Sequence, residues 1–196
     1  MAEVRRLTSF RDRPHIGPMT NRFFWVDLEM TGLDEKVDHI LELAIIVTDL
    51  DLNPLEEYQR IIFQPPEVLS LMSEHVRSLH QKSGLLNLIP SGSPLGEVEK
   101  DVLGIIDRHF SKEDRVVLAG NSVGNDKRFI DYHLHSIAKR LHYRIIDVSS
   151  FKEIFKNKYG IKIEKKNAHR AIDDIRESIM ELKNYLSFIQ VPQGSQ

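Results

Sequence analysis

The chain has 196 residues, 41% of them hydrophobic and 29% charged, which is the profile of an ordinary folded domain with a substantial core rather than of a disordered or fibrous protein. The near-balance of 27 Lys and Arg against 29 Asp and Glu, net charge −2, excludes an extended sequence-independent grip on long nucleic acid, which needs many cationic contacts to phosphate, but leaves a short phosphorylated ligand open. With no cysteine, disulfides, zinc-thiolate centres and cysteine nucleophiles are excluded, any metal must be held by O and N donors, and a reducing compartment such as the cytoplasm is expected.

Residues 1–20 hold several Arg and two Pro without helical apolar periodicity, and read as a flexible tail; Glu3 and Asp12 spoil the acid-poor pattern of a mitochondrial signal. Three strand-like runs follow, 22–29, 39–50 and 56–64, the last two joined by the turn-rich "DLNP", which predicts an antiparallel meander. After Pro65 and Pro66 the texture becomes helical, over 67–80 and again over 94–110, where Leu95, Val98, Val102, Ile105 and Ile106 make one stripe; "PSGSP" at 90–94 connects the two. Next come a buried strand at 115–121, a helix at 125–141 and a strand at 143–148. Ser150 and Glu153 form a capping box for a short helix, and a long helix fills about 169–187. Strands followed by alternating helices and strands predict an α/β fold, a mixed sheet with helices on its faces. No run, "LAIIV" at 43–47 included, approaches the roughly 20 apolar residues that span a bilayer, so no membrane is expected.

The first strand, "RFFWVDLEM", carries Asp27 and Glu29. A period of two puts both on one face with Phe23 and Trp25, while Phe24, Val26 and Leu28 take the other. Two like charges at a partly buried site lose hydration at several kcal/mol per ion unless protons, basic side chains or bound cations compensate. Asp-x-Glu is common by chance, and a strand that ended at Val26 would leave both acids in water, so the pair alone decides nothing. Asp126 opens the helix after the strand at 115–121, where the macrodipole favours an acid for purely local reasons. Asp174 lies in "NAHRAIDDIRES", five residues after His169.

The spacing His-x4-Asp occurs three times. His142 and Asp147 flank or occupy a strand, where an odd offset sends them to opposite faces; His109 and Asp114 straddle a polar helix exit, the usual home of solvated charge. His169 and Asp174 suit a base on the preceding loop or first turn beside an acid facing inward from the helix.

Taken in order, Asp-x-Glu on a first strand, Asp at a middle helix and His-x4-Asp at a late helix resemble the DEDDh 3′-to-5′ exonucleases. Within them the chain is most similar to the oligoribonuclease family, through "WVDLEMTGL" (25–33), "GNSVGND" (120–126), "HYRIIDVS" (142–149) and "HRAIDDIRES" (169–178). The resemblance implies an RNase H-like exonuclease domain over 21–188, with a C-terminal tail at 189–196. It implies that Asp27, Glu29, Asp126 and Asp174 hold two Mg²⁺ or Mn²⁺ ions, that His169 deprotonates the attacking water, and that very short RNA is hydrolysed to nucleoside 5′-monophosphates. It further implies that Leu33 wedges against terminal bases, that His80 contacts substrate, that Ser122, Arg144 and Ser149 cap the 5′ phosphate, and that Tyr143 reaches across a homodimer. One departure is His75, where the family commonly has Trp; an imidazole stacks on a base over less area than an indole. Two other enzymatic readings compete. A HAD-type phosphatase would need Asp where Glu29 and Asn121 stand, and a general single-strand proofreading exonuclease differs in tolerating long substrates.

Overall fold

The computed structural model describes residues 21–163 and 170–190; His169, most of the expected C-terminal tail and the N-terminal tail lie outside the described residues. Five strands form one mixed sheet in the order β3-β2-β1-β4-β5, with β1 Arg22–Met30, β2 Ile40–Asp49, β3 Pro54–Ile61, β4 Val116–Gly120 and β5 Leu141–Asp147. The first three strands are the expected antiparallel meander; β4 runs parallel to β1, and β5 parallel to β4.

The helices divide between the two faces according to the strand period. Phe24, Val26, Leu28 and Met30 point to a core shared with Val98, Val102, Ile105 and Ile106 of α3 (Leu95–His109) and Phe129 and Ile130 of α4 (Gly124–His133). Trp25 points the other way, onto α6 (Val148–Tyr159) and α7 (Ala171–Ser187), where Ile172, Ile175, Ile179, Leu182 and Tyr185 supply the packing. Each fully buried side chain of this size is worth about 1.5–3 kcal/mol relative to exposure, so both faces are strongly fixed. The indole N–H of Trp25 donates to Thr48 Oγ1 at 3.1 Å, which satisfies its polar atom inside the core.

Three expectations need correction. The helix expected over 67–80 is two pieces, α1 (Pro66–Ser70) and α2 (Glu74–Lys82), because Ser73 restarts the helix by accepting from Val76 N. The helix expected over 125–141 breaks at Leu134 (φ −125°, ψ 63°) into α4 and a short α5 (His135–Ala138), which frees the chain to return as β5. The capping box at Ser150 is not used: β5 runs directly into α6, and Asp147 is the N-cap, accepting from Ser149 N at 3.0 Å.

Candidate active site

The site lies at the carboxyl end of β1. Parallel pairing with β4 stops at Trp25–Ala119, so the second half of β1 has an open edge on that side. The chain leaves β4 at Gly120 close against β1: a Cβ there would sit 2.8 Å from the Val26 carbonyl oxygen. It then turns through Ser122, whose φ is +53°, into α4. The first turn of α4 therefore faces the open edge, and Asp126 Oδ1 accepts from Leu28 N, the amide between Asp27 and Glu29, at 2.9 Å. From the other face comes α7. Its Asp174 offers a carboxylate oxygen that lies, with one from Asp27 and one from Glu29, in a group all within 4.8 Å of one another. All four acids named from the sequence are thus brought to one strand end.

Their protonation reports the crowding. Burial, joined by the charges of Asp126, Glu29, Asp174 and Glu42, pushes the Asp27 carboxyl well above its ordinary range. Glu29 rises to about 8, first through burial and then through Asp174, Glu42 and Asp126, with Arg170 partly opposing. Asp126 rises to about 7 through burial, although its bond from Leu28 N pulls the other way. Like charges gathered so closely call for compensating cations, and the carboxylate oxygens of Asp27, Glu29 and Asp174 are hard donors that suit divalent ions such as Mg²⁺ or Mn²⁺.

The other expected residues are distributed around this centre. Leu33 is 67% exposed just past β1. Its loop is closed by Asp38, which accepts from Thr31 Oγ1 at 2.8 Å and from Asp34 N at 3.0 Å and lies where a side chain on Gly32 would otherwise go. Ser122 and Ser149 come together through Asp147: its Oδ1 accepts from Ser122 N at 2.9 Å and from Ser149 Oγ at 2.6 Å. Tyr143 and Arg144 are exposed on the edge strand β5, with Tyr143 stacked on His142 and its ring 5.3 Å from the Arg144 guanidinium. His75 is exposed on α2.

His80, expected to contact substrate, is 1% exposed on the inner face of α2, with Nε2 donating to the Met30 carbonyl at 2.8 Å and Nδ1 3.7 Å from Glu29 Oε2. It supports the end of β1 from beneath. Neither histidine of the two other His-x4-Asp spacings joins the three-acid group of Asp27, Glu29 and Asp174, although Asp147 lies near enough to Asp126 for its charge to raise that carboxyl. His109 joins Glu56 and Arg22, and His142 accepts from Arg144 N.

Sequence reasoning missed Glu42, Arg170 and Asp147. Glu42 carried a usable signal, as a single acid inside the apolar run "ILELAIIV". The odd offset from His142 argues against Asp147 as a site-mate of that histidine, yet Asp147 is engaged by the backbone amides of Ser122 and Ser149 and the Ser149 hydroxyl across a turn.

Known proteins resemble this chain in sequence and in fold. The exonuclease family profile matches residues 24–182. Relatives include the oligoribonuclease of Streptomyces avermitilis, 42% identical over 180 residues that cover 89% of this chain and 90% of that one. Another is the mitochondrial oligoribonuclease of Mus musculus, 44% identical over 173 residues, covering 85% and 73%. Among solved structures, exonuclease I of Methylocaldum szegediense matches with a TM-score of 0.67 at 17% identity, over 86% of this chain, which spans 41% of that longer one. A 3′-exonuclease described with a histone mRNA stem-loop matches with a TM-score of 0.61 at 14% identity, over 91% of this chain and 68% of that one.

Proposed function

Because the chain belongs to the exonuclease family, and within it to the oligoribonucleases, we propose that it removes nucleotides from the 3′ end of very short RNA with a pair of divalent cations and a histidine base. It is a 3′-to-5′ exoribonuclease, a phosphodiester hydrolase. The observation that carries the finer reading is the gathering of Asp27, Glu29 and Asp174 on one side of β1 with Asp126 bonded to the strand between the first two.

In this reading Asp27, Glu29, Asp126 and Asp174 hold two Mg²⁺ or Mn²⁺ ions. Bound there, the cations supply Lewis-acid stabilisation to the attacking and leaving oxygens of an in-line displacement. The protein does the rest. Its carboxylates supply the negative charge that the cations balance, and the amide of Leu28 fixes the orientation of Asp126. His169 accepts the proton of the attacking water as general base, a role typically worth about 10²- to 10⁴-fold in rate. Leu33, already projecting into solvent beside the strand end, wedges against the terminal bases. Ser122, Ser149 and Arg144 hold the 5′ phosphate, with Asp147 organising the two serines. A cap on the 5′ end makes length a specificity element and fits a chain with no basic excess. Tyr143, exposed on an edge strand, reaches into the site of a second subunit, and the site of action is the cytoplasm.

A length series of 5′-labelled RNA from two to about thirty nucleotides, with Mg²⁺ or with EDTA, tests this. The expected result is metal-dependent release of nucleoside 5′-monophosphate, fastest on two to four nucleotides and falling by at least about tenfold beyond ten, the cost of roughly 1.4 kcal/mol of lost binding. A rate independent of length would favour a general single-strand exonuclease instead.

A further inference from the structure

Glu42 is wholly buried on β2 and lies opposite Glu29 in the antiparallel register. A buried carboxylate costs several kcal/mol unless its oxygens are well satisfied, so its donors reveal what it is for. They come from two distant parts of the chain. Arg170 reaches it with Nε at 3.3 Å from both oxygens and with Nη2 at 2.9 Å from Oε1. Ala171 N approaches Oε2 at 3.4 Å, and the Gln59 side-chain amide donates to Oε1.

Arg170 is the N-cap residue of α7, with extended backbone (φ −130°, ψ 122°) and no cap from its own side chain. The acceptor at the head of this helix is therefore borrowed from β2: Glu42 takes an orphan first-turn amide and opposes the positive end of the helix. Asp174 is one turn further on, and its N–H donates to the Arg170 carbonyl at 3.0 Å. Wherever Arg170 is pinned, Asp174 follows. Apolar packing of Ala171 and Ile172 secures the helix beyond this point, whereas Arg170 lines a cavity of about 300 Å³ with Gln59, Arg60, Ile61 and Ser93 and is tied to the sheet by Glu42.

We propose that Glu42 and Arg170 are a positioning pair that fixes the start of α7 and so holds Asp174 against Asp27 and Glu29. The inference rests on the metal-site reading given above, but concerns residues outside the ligand set. A merely structural ion pair would affect stability and leave the site's properties alone.

The test uses the full chain and the variants Glu42→Gln, which removes the charge at equal size, and Arg170→Lys, which keeps the charge but loses the planar fork. In metal-free protein, amide hydrogen exchange at Ala171 and Asp174 should accelerate at least about tenfold in Glu42→Gln, while amides from Ile179 to Tyr185 stay within about twofold. Mn²⁺ affinity, read by electron paramagnetic resonance, should weaken by roughly 10- to 100-fold, the usual cost of losing a group that orients a ligand. On a dinucleotide, kcat should fall by a similar factor with KM within about twofold. In an Asp174→Asn background, Glu42→Gln should add less than about twofold to the loss of Mn²⁺ affinity, since both act through one carboxylate. Arg170→Lys should show the same pattern and stands in if Glu42→Gln does not fold by circular dichroism. Unchanged exchange and Mn²⁺ affinity in a folded variant, or effects of Glu42→Gln and Asp174→Asn that multiply, would overturn the pairing. Wild-type protein that binds Mn²⁺ but releases no mononucleotide would instead sink the nuclease reading and leave the positioning result standing.

Discussion

At the scale of single residues, the site is a concentration of carboxylates whose protons are a measurable property. Glu29 titrates near 8 and Asp126 near 7, against ordinary values of 4.5 and 3.8, and Asp27 is displaced in the same direction. Between the ordinary and the raised values the folded chain binds more protons than the unfolded chain. The stabilising contribution of these groups is therefore complete below about pH 4 and is lost as pH rises through 7 to 8. In EDTA, the melting temperature should be several degrees lower at pH 8 than at pH 5.5, and saturating Mn²⁺ should recover more at pH 8, where the ligands are ionised. Differential scanning calorimetry checks this; a metal-free melting temperature that climbs across that range would contradict it. Asp27 and Glu29 were legible in the sequence because a strand repeats every second residue and both acids fall on the Trp25 face. His80 was legible as a conspicuous residue but not as a buried one: its place depends on α2 restarting at Ser73 and turning its last turn beneath Met30. Glu42 was legible as an anomaly in an apolar strand, but its partner Arg170 is 128 residues away, and no local periodicity links them.

The secondary-structure elements explain why the acids meet. β1 supplies two from its end, α4 approaches the open edge beyond the last β4 pair, and α7 lies across the face that Trp25 defines. The approach of α4 depends on Gly120, where any side chain would meet the Val26 carbonyl oxygen and the Val123 side chain, at 2.8 and 3.1 Å. Gly120→Ala should cost about 1–3 kcal/mol in urea unfolding, as overpacking does, and lower kcat through displacement of Asp126. A stability and kcat equal to wild type would show that the β4–α4 turn has room to yield. Strands were the most readable elements, since the meander and its alternation follow from apolar period and turn residues alone. Helix boundaries were less so. Ser73 and Leu134 interrupt stretches whose composition favours continuous helix, and the cap of α6 passed to Asp147 because β5 and α6 share a boundary without an intervening loop.

For the whole molecule, the sheet has two edges, β3 and β5, and β5 displays Tyr143 at 75% exposure and Ile145 at 36%. If Tyr143 completes a neighbouring subunit's site, Asp27→Ala and Tyr143→Ala proteins, each inactive alone, should regain roughly a quarter of wild-type activity when mixed under conditions of subunit exchange, since half of the dimers are then mixed and each has one intact site. Assay of the mixture beside size-exclusion chromatography decides the matter; no recovery in exchanged dimers would count against a shared site. The architecture as a whole was readable because strand alternation, then helix and strand in turn, left few topologies. What the chain could not disclose by pattern is where its remote polar partners lie, since Asp147 with Ser122, and Glu42 with Arg170, are products of topology rather than of spacing.

The claim beneath all of this is that four carboxylates from three elements form one nest for divalent cations. Calorimetric titration of Mn²⁺ into metal-free protein at pH 7.5, in buffers of different ionisation enthalpy, tests it without substrate. Wild type should bind Mn²⁺ and release protons from the raised carboxyls, and Asp27→Asn and Asp174→Asn should each weaken binding by about tenfold or more while remaining folded. Equal affinity in wild type and both variants, or no binding at millimolar Mn²⁺, would contradict the account.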